Sequence, residues 1–182
     1  METLKLTKKD FKKTDNYWMD YIGKEDISNY DGNVEIEEEL GYVKFNSINI
    51  KGYLLARAGT GIKAGYSVKA GAGIEAGDGI EAGSSIKAGS SIKAGYSVKA
   101  GDGIEAGSSI KAGCGIKAGD GIEAGFGITC KKSLNIGLRI FAGLCLWRKP
   151  TKEELEIKCG KLESGEVCYG DLIETGIEED DD

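Results

Sequence analysis

The residues able to do chemistry in this chain fall into two sets with fixed spacing. The tetrad Asp-Gly-Ile-Glu occurs at 78–81, 102–105 and 120–123. Repeated carboxylates of this kind suit a hard cation, arginine side chains or paired acid–base work. Lysine forms the second set: Lys69, Lys87, Lys93, Lys99, Lys111 and Lys117 recur at multiples of six. Clustered lysines suit an anionic partner, because phosphate binding releases condensed counterions. Histidine is absent, which removes Ser-His and Cys-His nucleophile pairs, a histidine general base and histidine-ligated zinc. Cys114, Cys130, Cys145, Cys159 and Cys168 contain no CxxC spacing, so they read as reduced, buried thiols of a cytosolic protein. With no second catalytic group beside the carboxylates, Asp102, Glu105, Asp120 and Glu123 read as a solvated acidic patch. No enzyme chemistry, metal or cofactor is expected.

The element that positions both sets is a repeat. From Gly61 the chain reads GIKAGY SVKAGA GIEAGD GIEAGS SIKAGS SIKAGY SVKAGD GIEAGS SIKAGC GIKAGD GIEAGF GITC, with Ile or Val at every sixth position from 62 to 128. Ile50 and Ala56 upstream, and Leu134, Ile140 and Leu146 downstream, fall on the same count. A period of six fits neither a helix at 3.6 nor an uninterrupted strand at 2. It fits a three-residue strand plus a bend: Ile and Ala share one face, Lys or Glu takes the other, and Gly-x-Gly/Ser supplies the bend. Three bends close an 18-residue coil, and coils stack as parallel strands about 4.8 Å apart. The expected fold is therefore mainly all-β: a parallel β-helix, or solenoid, of hexapeptide repeats with five to six coils. Outward charges should form three columns: Lys51, Lys69, Lys87, Glu105, Glu123; then Arg57, Glu75, Lys93, Lys111, Thr129; then Lys63, Glu81, Lys99, Lys117, Asn135. Like charges then meet at 69/87, 93/111, 99/117 and 105/123, each costing up to about 1 kcal/mol.

The pattern divides the chain into an acidic N-terminal capping segment (1–49), the solenoid (50–148) and an acidic C-terminal segment with a tail (149–182). Residues 1–50 carry 7 basic and 11 acidic side chains, 51–149 carry 14 and 7, and 150–182 carry 3 and 12. The N-terminal cap is expected to be α/β, with a short helix over Phe11 to Ile22 and strands at Val34–Ile36 and Tyr42–Phe45. In the C-terminal cap, Leu155–Ile157 and Val167–Tyr169 read as strands joined around Ser164-Gly165, and Glu178–Asp182 as a disordered tail. Acidic segments at both ends would oppose head-to-tail stacking. Phe126, Leu138, Phe141, Leu144 and Trp147 gather in the last coils, where they are expected to be covered by the C-terminal segment, the alternative being a partner surface. The longest apolar run, Ile140–Trp147, is far below the roughly 20 residues a membrane span needs, so a cytoplasmic protein without a membrane partner is expected.

The repeat resembles, in part, the left-handed hexapeptide β-helix family. That family prefers a small residue two positions before the aliphatic, where this chain also holds Tyr66, Asp78, Tyr96, Asp102, Asp120 and Phe126. The acyltransferases and carbonic anhydrases built on that fold depend on histidine, so those activities are rejected. Ice-binding solenoids display threonine ranks that are missing here. The array from Gly61-Ile-Lys-Ala-Gly65 to Gly121-Ile-Glu-Ala-Gly125 resembles phage and mobile-element anti-CRISPR inhibitors of Cas9, over the clean repeat alone. That resemblance implies a stoichiometric inhibitor that binds Cas9 or its guide RNA complex, with DNA as a further partner, and blocks target binding or cleavage. The lysine set would be a basic ridge for the partner, and the acidic patch a second docking element. The alternatives are a structural, self-assembling solenoid (a homo-oligomer) or a sequence-independent nucleic-acid-binding accessory protein.

Overall fold

The structure, a computed structural model, describes residues 1–15 and 17–177; the acidic run Glu178–Asp182 lies outside the described residues. Strands make up 52% of the chain, wound as a parallel β-solenoid of about 8 turns. That exceeds the coil number expected from the repeat, because strands of both flanking segments join the same stacks. In the clean repeat every hexad is one three-residue strand, from Val68–Ala70 to Ile128–Cys130. The aliphatic and the third residue of each, alanine in all but the last, are buried, and the side chain between them, charged in all but the last, lies on the outward side. Strands one coil apart pair in parallel and in register, as Ile86, Lys87 and Ala88 do with Ile104, Glu105 and Ala106.

Three faces result. The first stacks nine strands, from Thr3–Leu6 to Asp171–Glu174. The second includes Thr60–Ala64, Ile80–Ala82, Val98–Ala100 and Ile116–Ala118. The third includes Ile48–Ile50, Val68–Ala70, Ile86–Ala88, Ile104–Ala106 and Ile122–Ala124. One long strand, Ser133–Ala142, turns the corner between the last two, continuing the second face at Leu134–Ile136 and the third at Ile140–Ala142. The core is a column of stacked Ile, Val and Leu beside a column of Ala, each fully buried Ile contributing about 2–3 kcal/mol of transfer free energy.

The bends explain the glycine. The residue after each alanine lies directly over the corresponding glycine carbonyl one coil below. A Cβ on Gly95 would collide with the Gly77 carbonyl oxygen, and Gly101, Gly113 and Gly119 repeat that relation. The second bend position is roomier: a Cβ on Gly103 would sit 3.4 Å from the Gly121 carbonyl oxygen. Serine accordingly replaces glycine there at 67, 85, 91, 97 and 109. The bends are also hydrogen-bonded from coil to coil, as in Asp120 N to Asp102 O at 2.9 Å, so the backbone is satisfied at the corners as well as in the strands.

Upstream, the register differs from the extrapolated one. Ile48 and Leu54 pair with Val68 and Ile74, an interval longer than the regular coil by two positions. Ile50 and Ala56 therefore fill the alanine slot, and Asn49 and Leu55, rather than Lys51 and Arg57, take the outward positions of their columns. The cause is a two-residue enlargement between Leu54 and Ile62, where the chain bends at Gly59 with φ +67°. Thr60 fills that bend, wholly buried; its hydroxyl donates to the Glu37 carbonyl (2.8 Å) and accepts from Leu40 N (3.1 Å).

The N-terminal helix expectation is also corrected. Phe11–Lys13 and Trp18–Tyr21 are antiparallel strands at the start of the second face. Phe11 meets Tyr21 and Phe45 in T-shaped contacts and those two rings are tilted on each other, with centroids 5.1–5.8 Å apart, closing the core end that a helix was expected to cover. Strands Asn33–Ile36 and Gly41–Phe45 form as expected but belong to the stacked coils.

At the other end, Glu156–Cys159, Lys161–Tyr169 and Asp171–Glu174 add in parallel to the last coils. Ser164-Gly165 is an irregularity within one strand, not a hairpin turn, because the open coil offers a parallel edge along the whole segment. Leu146 leaves the repeat and is 94% exposed, since Gly143, at φ +81°, leads the chain out of the coil. Arg148 clasps Glu154 through two hydrogen bonds of 2.7 and 2.6 Å. With Thr151 N also donating, these bonds hold the Glu154 carboxyl down at about 2. Phe126 meets Trp147 edge-on at 6.4 Å and Arg148 at 4.9 Å, while Leu138 and Trp147 remain exposed.

Candidate functional site

The columns and bends decide which charges meet. All four expected like-charge contacts are ladder neighbours: Lys69/Lys87, Lys93/Lys111, Lys99/Lys117 and Glu105/Glu123. Three ion pairs between coils relieve part of the repulsion. Lys87 pairs with Glu105 (2.5 Å), Lys93 with Glu75 (2.7 Å) and Lys63 with Glu81 (2.8 Å). As solvent-exposed pairs they contribute less than about 1 kcal/mol each, so their main effect is to choose which lysines stay free. Lys69, Lys99, Lys111 and Lys117 have no acidic partner among the described residues.

The six lysines do not form one ridge. Lys69 and Lys87 lie on the third face, Lys93 and Lys111 on the first, and Lys99 and Lys117 on the second. The structure brings four of them together. Lys93 and Lys99 belong to one coil, Lys111 and Lys117 to the next, and the pairs flank the bend column Asp78, Tyr96, Cys114, Lys132, linked by successive backbone hydrogen bonds. Tyr96 stands out from this edge, 57% exposed. Its place between the lysines was legible only once the coil was closed. A second basic feature escaped the sequence: Lys44 and Lys63 sit 4.8 and 4.6 Å over the Trp18 ring, at the N-terminal end of the second face. A cleft of about 710 Å³ beside them mixes Asp20, Glu25 and Asp26 with both lysines.

The acidic residues also converge. Asp102 and Asp120 stack in the bend between the second and third faces, and Glu105 and Glu123 are neighbours on the third face. Among the described residues no group of three or more Cys, Asp or Glu side chains is placed to hold a metal ion. The second face is thus bordered by a basic edge on one side and an acidic edge on the other.

Of the five thiols expected to be buried only Cys130 and Cys159 are; Cys168 is exposed, and Cys114 stands in the bend column of the basic edge itself, where side chains face out from the corner. Cys130 occupies the inward slot above Ala112, and Cys159 is buried with it. Burial, with Cys159 nearby, pushes the Cys130 thiol up to about 12. A thiol raised in the folded state keeps its stabilisation below the unfolded pKa of about 8.5 and loses it as pH rises toward the folded value. Wild type is therefore expected to lose stability relative to Cys130→Ala between about pH 9 and 12, at roughly 1 kcal/mol per pH unit. Urea midpoints of both proteins at about pH 8 and about pH 10 measure it; parallel midpoints would show that the thiol is not protected by the fold.

The fold and site define a class: a β-solenoid that carries opposite charges on two neighbouring edges. Compared with protein-family models, curated proteins and solved structures, the chain matches none of them. Among the described residues no helix is long and apolar enough to cross a membrane.

Proposed function

We propose that this chain is a stoichiometric binding protein without catalysis, and specifically an inhibitor that docks on guide-loaded Cas9 and blocks target DNA binding or cleavage. The observation carrying the binding role is the basic edge: four lysines on two adjacent coils, three of them free of acidic partners among the described residues, on a backbone held rigid by hydrogen bonds. Rigid, closely spaced cations attract an anionic polymer without a reading helix, so contact is to phosphates and independent of sequence. Guide RNA or target DNA held in Cas9 supplies such a polymer. Acidic segments such as Val34 to Leu40 and the Asp102–Glu123 edge suit the positive channel walls of the same partner. The choice of Cas9 rests on the resemblance of the IKAG/IEAG array to anti-CRISPR inhibitors. Cleavage of target DNA by purified Cas9 with guide is expected to stop near one equivalent of this protein. Full cleavage at a large excess, across several Cas9 orthologues, would overturn the reading.

A further inference from the structure

The two ends of the first face differ in charge, and both carry open strand edges. Thr3–Leu6 pairs only with Asn33–Ile36 among the described strands, and Asp171–Glu174 only with Glu156–Cys159. Both run parallel to every strand between them. In a parallel ladder alternate residues bond to opposite neighbours. The carbonyls of Glu2 and Leu6 accept from Asn33 and Glu37, so the backbone groups of Thr3 and Lys5 point away from the solenoid. At the far end Thr175 N donates to Cys159 O, so those of Leu172 and Glu174 point away.

The rest of the N-terminal end is closed. Phe11–Lys13 and Trp18–Tyr21 form an antiparallel pair over the second face. Tyr30 bridges to Ile50 at the third. The C-terminal end is more open: Leu172 aligns with the buried core residue Ile157 yet is 39% exposed.

Charge favours joining unlike ends. The acidity of the N-terminal segment as a whole suggested that stacking would be opposed, but its carboxylates lie mostly after residue 14. Residues 1–13, which carry the outermost strands of the first and second faces at that end, hold five lysines and two acids. Residues 161–177, which make the C-terminal edge, hold one lysine and four acids. Like ends repel, and unlike ends attract.

We infer that the occupant of each open edge is a second copy of this chain, its Thr3–Leu6 strand adding in parallel to Asp171–Glu174 and continuing the first face. Such a contact uses different surfaces on the two copies, so it does not close on itself and propagates as linear arrays. Exposed charges set its strength, so salt weakens it.

Lys5→Pro and Leu172→Pro each remove an outward N–H from an edge strand, a position where proline leaves the inner ladder intact. Thermal melts and far-UV circular dichroism like those of wild type identify usable variants. Lys5→Glu and Asp171→Lys serve instead if a proline variant unfolds. At low salt, sedimentation velocity of wild type is expected to show mass rising with concentration above the 19.3 kDa chain and falling again with added salt. Each end-blocked variant alone is expected to stay monomeric, or to associate far less. An equal mixture retains one free edge of each kind and is expected to give a two-chain complex and nothing larger. Wild type that remains one chain at every concentration, or blocked variants that assemble as wild type does, would overturn the inference.

Discussion

Alanine in place of Gly95 is expected to cost about 3 kcal/mol or more, as overpacking against rigid backbone does. The new methyl would collide with the Gly77 carbonyl oxygen. That oxygen belongs to the bend ladder, where Tyr96 N donates to Asp78 O one residue on, so relief requires prising two coils apart. Gly103→Ala is the control, because its Cβ meets the Gly121 carbonyl oxygen at an ordinary 3.4 Å and is expected to change stability by less than about 1 kcal/mol. Urea unfolding of the two variants against wild type measures the difference. Similar midpoints would show that the coils separate freely and that the glycine requirement is conformational rather than steric.

Reversing Lys93, Lys99, Lys111 and Lys117 to Glu is expected to weaken partner binding about 100-fold or more, with each lysine–phosphate contact on the order of 1 kcal/mol after screening. The slope of log affinity against log salt should fall by about 3 to 4, since each neutralised phosphate contributes about 0.9 on duplex and 0.7 on single strands. Stability should change little, because all four side chains lie outward between buried neighbours. The readout is the concentration that halves Cas9 cleavage. Reversal of four exposed lysines away from the basic edge, Lys9, Lys24, Lys149 and Lys152, controls for net charge. Equal potency of the two variants would remove the basic edge from the mechanism, even if one-to-one inhibition held.

These two expectations depend on different kinds of information. The glycine requirement is written into the sequence, since Gly follows every alanine of the repeat while Ser alternates with Gly two positions later. The basic edge is not. Six lysines at multiples of six look equivalent along the chain, yet Lys87 and Lys93 are neutralised by Glu105 and Glu75 whereas Lys99, Lys111 and Lys117 are not. Pairing depends on which charge sits one coil above or below, and on how two long side chains reach each other. The count of three hexads to a coil places Lys99 beside Lys117 and Glu105 beside Glu123 correctly, because nothing interrupts the hexads between them.

The same count fails upstream, where Lys51 and Arg57 were expected in the columns. Lys51 bonds Asp31 and Arg57 bonds Glu35 at a different level. The wide bend at Gly59-Thr60 shifts everything before it, and a bend's length is not visible in a three-residue strand signal. The Phe11–Ile22 segment misleads for a related reason: Phe11, Met19 and Tyr21 pack their rings and sulfur against the end of a core formed by residues far along the chain.

By itself, then, the sequence determined the hexad, its inward Ile and Ala, its outward charge and the parallel stacking, since each is decided within six residues by side-chain alternation and room at the bend. Only the tertiary structure decided the starting register, the free lysines of the basic edge and the unlike charges of the two ends. Those depend on the number of residues between distant segments, and a two-residue change in one bend resets every contact beyond it.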